Sequence, residues 1–230
     1  MQFRGWQRVS LMDYPGKIAT TAFVGGCNFR CPYCHNWELV ENGSNLEAIS
    51  SDEVLAFLKK RSAMVDGICI SGGEPTIHKE LPEFARRVKG MGKLVKLDTN
   101  GANPDMIREL LDGKWLDFVA MDVKCTMERY CALTKCSADE LPKLKESIEM
   151  IKKSGIDYEF RTTITREYNP SSDKEALAHL VSGAKSYALQ KFRIPEGHFD
   201  ENLSPLSKIE AEEIMEAVRP HVGEINLRGY

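Results

Sequence analysis

At 230 residues, with 42% hydrophobic and 28% charged residues, the chain is long enough for one generous core. A formal net charge of −3 gives it no broad attraction to nucleic acid or to an anionic membrane surface, so neither is expected as a partner. No apolar run approaches the ~18 residues of a membrane helix, and the opening MQFRGWQRVSLMDYPGK has no apolar leader segment, so a cytoplasmic protein is expected. Thiols stay reduced in that compartment, and seven cysteines, an odd count, then point to metal binding or catalysis more than to disulfides.

In chain order, the first strand is expected over Ile18–Val24 and leads into a loop that holds three cysteines within eight residues, FVGGCNFRCPYCHN. In SSDEVLAFLKK, Ser50 stands three residues before Glu53 as a capping box, and Val54, Leu55 and Leu58 then share one helical face. Further strands are expected at Gly67–Ser71, Leu94–Leu97, Phe118–Val123, Tyr158–Thr163 and Tyr187–Phe192, with helices between them. Residues 140–154 place Leu141, Leu144, Ile148 and Ile151 at helical spacing before Gly155, and Leu177, Leu180 and Val181 repeat the pattern. A last helix is expected over Lys208–Val218, started by Ser207 with Glu210 three residues on, and a final strand over Glu224–Leu227.

Six strand–helix alternations read as α/β with a parallel sheet, either doubly wound or a barrel. A full eight-fold barrel takes about 250 residues, so six units imply a partial (βα)6 TIM-like barrel with the cysteine loop after the first strand. No Pro-, Gly- or Ser-rich linker divides the chain, so one domain over residues 1–230 is expected, with a core of about 16–200 and a terminal helix and strand in 205–230. In either closure ligands bind beyond the carboxyl ends of the strands. Those ends carry the cysteine loop, Ser71-Gly72-Gly73-Glu74-Pro75, Asp98-Thr99-Asn100-Gly101, Asp122 with Lys124, Arg161-Thr162-Thr163, and Gln190, Lys191 and Arg193. Each is compatible with ordinary turn or rim chemistry; their recurrence at every end favours a site.

Four readings are open for Cys27, Cys31 and Cys34. They could be unrelated buried thiols. Cys31-Pro32-Tyr33-Cys34-His35 matches the haem attachment pattern C-x-x-C-H, which leaves Cys27 unused. A Cys3His zinc site would require adjacent Cys34 and His35 to reach one ion. An iron–sulfur cluster suits short-spaced thiolates; with three ligands it leaves one iron open to a small chelating molecule.

The C-x3-C-x2-C spacing, with Tyr33 before the last cysteine, resembles the signature of the radical S-adenosylmethionine enzymes, and ISGGEP at 70–75 resembles their glycine-rich motif. VSLMDYPGKIATTAFVGGCNFRCPYCHNWELV, LDTNG, MDVK, DYEFRTTI and YALQKFRI look like the activating proteins of anaerobic ribonucleoside-triphosphate reductase, over about residues 4–200. The resemblance implies a [4Fe–4S] cluster on Cys27, Cys31 and Cys34, whose open iron takes the amino and carboxylate groups of S-adenosylmethionine. It implies that Gly72, Gly73 and Glu74 hold the methionine ammonium, and that Tyr33 lies near the adenine, mostly through its backbone. Asp98, Thr99 and Asp122 match segments around the methionine carboxylate, where some relatives bind a monovalent cation; Lys124 would pair with that carboxylate, and Arg161 would face the ligand. Without the resemblance, Asp98 and Asp122 read as helix caps or turns, and Lys124 and Arg161 as solvated rim charges. The implied reaction is reductive cleavage of S-adenosylmethionine and removal of a hydrogen atom from a glycine of a partner glycyl-radical enzyme, with flavodoxin or ferredoxin as electron donor. Another glycyl-radical enzyme or a small molecule as target, or a non-catalytic iron–sulfur or zinc module, are the competing readings.

Cys125, Cys131 and Cys136, spaced C-x5-C-x4-C just after MDVK, depart from the family pattern. They are open to three readings: incidental thiols, a second metal site, or a redox-active group. Cys69 reads as a small buried hydrophobe. His35 is expected to pack near the cluster, and His78, His179, His198 and His221 to sit on the surface or in loops.

Overall fold

The computed structural model describes residues 1–194 and 200–230; His198 lies outside them. The chain divides into two compact units, residues 1–28 with 36–120, and residues 29–35 with 121–230. Among the described residues no helix is long and apolar enough to cross a membrane.

The first unit contains strand β1 (Gly5–Ser10), which the sequence patterning did not announce. It pairs antiparallel with β2 (Ala19–Val24). Helix α1 (Ser51–Lys60) carries the expected capping box: the Ser50 hydroxyl accepts from the Glu53 amide at 3.2 Å, and the Glu53 carboxylate accepts from the Ser50 amide at 2.8 Å. Its Val54, Leu55 and Leu58 are buried, the stripe that the spacing predicted. Strand β3 (Gly67–Gly72) pairs parallel with β2, and β4 (Leu94–Thr99) pairs parallel with β3. Residues 67–70 of β3 are all buried, as in a parallel strand covered on both faces. Helices α2 (Leu81–Gly90) and α3 (Pro104–Asp112) follow β3 and β4, both with proline in the first turn, where its missing amide costs nothing. Strand β5 (Phe118–Asp122) spans the boundary, its first three residues counting with this unit and Met121–Asp122 with the other.

The second unit continues with helices α4 (Met127–Thr134) and α5 (Glu140–Lys153), strand β6 (Asp157–Ile164), helix α6 (Lys174–Val181), strand β7 (Ser186–Lys191), helix α7 (Lys208–Val218) and strand β8 (Glu224–Arg228). Strands β6 and β7 pair parallel, as do β7 and β8. Leu144, Ile148 and Ile151 form the buried stripe of α5, and Ser207 with Glu210 caps α7 as expected. The α/β reading with a mostly parallel sheet holds: β1 lies antiparallel on β2, while β2 with β3, β3 with β4, β6 with β7 and β7 with β8 all run parallel.

Candidate functional site

In the first unit the cysteine loop leaves β2 at Gly25-Gly26-Cys27 and is fastened by the turn that follows β3. The Gly73 amide donates to Val24 O at 2.9 Å and the Glu74 amide to Gly26 O at 2.9 Å. Asn36 Nδ2 donates to Gly72 O at 2.9 Å, and His78 Nε2 lies 3.0 Å from Gly25 O. His78, in a loop as expected, thus helps to fasten the cysteine loop. The glycines permit this closeness. Gly72 has φ +115°, and a Cβ on Gly73 would stand 1.8 Å from Gly26 O. The Gly-Gly pair is thus needed first for backbone approach to the cysteine loop.

Glu74 is 1% exposed, and its carboxylate is fully engaged within the chain. It accepts from the Thr76 amide (3.0 Å) and hydroxyl (2.6 Å), from the Thr99 hydroxyl (2.7 Å) and from the Asn100 amide (2.7 Å). Burial pushes this carboxyl up, against the pull of its donors. Glu74 therefore ties the ends of β3 and β4 together, and Thr99 is its partner. Asn100, which the sequence placed at this strand end without a role of its own, donates to Asn28 Oδ1 at 2.8 Å, and its Nδ2 lies 3.8 Å from Cys27 Sγ. Asp98 neither caps a helix nor stands free: it is paired with buried Lys96 and accepts from the Ser71 hydroxyl at 3.1 Å. Lys96, 3% exposed, was also missed; an interior lysine within a strand marks such a pair only once its partner is known.

In the second unit the loop continues with Cys31 and Cys34, where the Cys34 amide donates to Cys31 O at 3.1 Å. The Arg30 amide donates to Thr134 O at 2.8 Å, which hangs the loop on the end of α4. Tyr33 is buried, packs 6.1 Å from the Phe192 ring, and lies under the Lys124 ammonium at 6.0 Å. Its hydroxyl has no hydrogen-bond partner among the described residues. Asp122 pairs with Arg161 Nε at 2.9 Å and Lys124 Nζ at 3.3 Å. Burial pushes the Asp122 carboxyl up, but Arg161 and Lys124 outweigh it and hold the group below its usual value. Burial likewise pushes the Lys124 ammonium down, and Asp122, with Cys31 and Tyr33 behind it, more than reverses this. Lys124 and Arg161 are thus paired and largely covered, not solvated rim charges. Burial, then Arg193, lowers the basicity of His35.

The three cysteines of the motif are divided between the units, Cys27 with the first and Cys31 and Cys34 with the second. All three are half-exposed thiols, and none is spent in a disulfide. Among the described residues no three Cys, His, Asp or Glu side chains are already gathered about one point. Three accessible, unbridged thiols on short spacing are the donor chemistry an iron–sulfur cluster requires.

A family model described as "Radical SAM superfamily" matches residues 21–180. The chain belongs to the radical SAM superfamily. It is an enzyme of that group, and its cofactors are the group's [4Fe–4S] cluster and S-adenosylmethionine. A "Putative glycyl-radical enzyme activating enzyme" of Methanocaldococcus jannaschii is 37% identical over 215 residues, which cover 90% of this chain and 86% of that protein. A pyruvate formate-lyase-activating enzyme of Clostridium pasteurianum is 32% identical over 123 residues, 51% of this chain and 50% of that one. Among solved structures, Streptococcus suis SuiB superposes with a TM-score of 0.69 at 12% identity, covering 91% of this chain and 48% of SuiB; SuiB has also been solved bound to S-adenosylmethionine. The chain thus spans about half the length of SuiB, and the likeness shows the shared fold alone.

Proposed function

We propose that this enzyme activates a glycyl-radical enzyme, and that its partner is an anaerobic ribonucleoside-triphosphate reductase. The observation that carries the activating-enzyme part of the reading is the 37% identity with the Methanocaldococcus jannaschii protein over nearly the full length of both chains; the reductase as partner rests on the motif resemblance over about residues 4–200. Cys27, Cys31 and Cys34 hold the cluster. Bound together, cluster and S-adenosylmethionine supply one-electron reductive cleavage of the sulfonium and hence a hydrogen-abstracting organic radical.

The chain's own residues supply placement. Gly72 and Gly73 let the turn after β3 press on the cysteine loop, and Glu74 fixes that turn against Thr99 and Asn100. Backbone acceptors of this turn, rather than the engaged Glu74 carboxylate, are left to receive the methionine ammonium. Asp122 holds Lys124, which would pair with the methionine carboxylate, and Arg161, which would face the ligand, while Asp98, held by Lys96 and Ser71, braces the end of β4. Tyr33, buried beneath Lys124, shapes the adenine side with its backbone. A flavodoxin or ferredoxin is the electron donor in this reading.

The test is anaerobic reconstitution with iron and sulfide, reduction with S-adenosylmethionine, and electron paramagnetic resonance with an anaerobic reductase added. A glycyl-radical doublet on the reductase, with 5′-deoxyadenosine formed in step, is the expected result. 5′-Deoxyadenosine without a radical on the reductase would move the target to another glycyl-radical enzyme or a small molecule. No cleavage at all would overturn the reading.

A further inference from the structure

Outside the radical SAM motif, one pair of side chains stands in a relation that ordinary packing does not require. Cys136 Sγ lies 3.3 Å from Cys131 Sγ, and both residues are half-exposed. The backbone explains how they meet. Helix α4 ends on Lys135, which takes the left-handed conformation at φ +61°. The Lys135 amide donates to Cys131 O at 3.0 Å, and the Cys136 amide to the Thr134 hydroxyl at 3.3 Å. A left-handed terminus of this kind turns the following residue back onto the last helical turn, where an apolar contact commonly forms. Here the two residues so placed are both cysteines.

We propose that Cys131 and Cys136 form a reversible dithiol/disulfide pair that exchanges with small disulfide compounds. A disulfide bond is about 2.05 Å long, so closure from the observed contact needs the sulfurs to approach by little more than 1 Å, within reach of side-chain rotation about a fixed turn. In the exchange, one protein thiolate attacks a sulfur of the small disulfide; that S–S bond breaks, one thiol leaves, and a mixed disulfide forms. The second protein thiolate attacks the protein sulfur of this bond and expels the second thiol. The protein pair loses two electrons and two protons; the small disulfide gains both and leaves as two thiols. The third cysteine of this group, Cys125, is fully buried, whereas Cys131 and Cys136 are partly exposed, so Cys125 stands outside the exchange.

The pair's position gives it consequence. The Thr134 carbonyl beside it receives the Arg30 amide, and the Tyr130 ring one turn back lies 6.2 Å from Phe29. A link across this helix end would stiffen the structure from which the Cys31 side of the loop hangs.

The experiment uses the anaerobically reconstituted enzyme, equilibrated with graded ratios of oxidised to reduced dithiothreitol, quenched in acid, alkylated and digested with trypsin. Lys135 puts a cleavage point between the two cysteines. The dithiol form therefore yields Tyr130–Lys135 and Cys136–Lys143 as separate alkylated peptides, and the disulfide yields them joined. The joined species should replace most of the separate peptides at the oxidising end in the wild type and in Cys125→Ser, return to separate peptides on reduction, and be lost in Cys131→Ser and Cys136→Ser. Peptides that stay separate across the whole range, or Cys131 found joined to Cys125 instead, would overturn the proposal. The wild-type measurement decides this by itself, whatever the variants do to folding.

Discussion

Replacing Gly73 with alanine tests the close approach that fastens the cysteine loop. The new Cβ would stand 1.8 Å from Gly26 O and 2.7 Å from Gly26 C, both backbone atoms with no flexible end to move aside. An ordinary carbon–oxygen contact is about 3.3 Å or more, so the loop must retreat by roughly 1.5 Å. Overpacking of this kind costs about 1–3 kcal/mol. The retreat also breaks the bond from the Glu74 amide to Gly26 O, worth about 1 kcal/mol net. The sum, about 2–4 kcal/mol, corresponds to a melting point lowered by roughly 4–16 °C for a chain of this size. Because the displaced carbonyl belongs to the residue before Cys27, iron bound per chain after reconstitution should fall as well. Thermal melts by far-ultraviolet circular dichroism, with iron analysis, make the measurement. Gly90→Ala is the control: it closes α2, meets nothing within 4 Å, and should be neutral or stabilising by up to about 1 kcal/mol. A Gly73→Ala protein that melts with the wild type and binds as much iron would refute the reasoning.

Glu74→Gln keeps the shape of the side chain but turns an amide group toward donors that now find a carboxylate; at least one buried donor is left unpaired, costing about 1–3 kcal/mol, read as a lower urea midpoint at unchanged slope. Asp122→Asn gives a pH-dependent loss. Arg161 and Lys124 hold the native carboxyl below its usual value, so this residue stabilises the fold above the ordinary carboxylate range near ~4, and that contribution disappears as pH falls through the depressed native value. The stability difference between variant and wild type should therefore be full near neutrality and shrink on acidification; a difference that stays constant from neutrality into that acid range would contradict the pairing. Single serine substitutions at Cys27, Cys31 and Cys34 should each remove most of the reconstituted iron and its visible absorbance while leaving the far-ultraviolet spectrum of the apoprotein intact, since all three residues are only partly buried and serine is close in size to cysteine. Iron retained by any one of them would remove that residue from the ligand set.

The sequence by itself settled what is local. The short spacing of Cys27, Cys31 and Cys34 is a property of one loop. The strand beginning at Gly67 reads from its own buried residues, and the helices that begin at Ser51 and Lys208 read from capping pairs three residues apart, because these interactions close within a few residues. Tertiary structure decided everything that depends on which strand ends are neighbours. Glu74 reads in sequence as a ligand beside two glycines, yet its carboxylate is engaged by Thr99 and Asn100, about 25 residues further on. Lys96 and Asp98 are two apart on one strand and so lie on the same face, but only the burial of that face makes them an obligatory pair. Strand β1 gave no clear alternation because most of its residues are at least partly exposed, leaving little hydrophobic contrast to read. The meeting of Cys131 with Cys136 turned on a left-handed lysine, a conformation that costs an L-residue energy and that no residue type in this stretch announces; it persists only because the surrounding structure holds it.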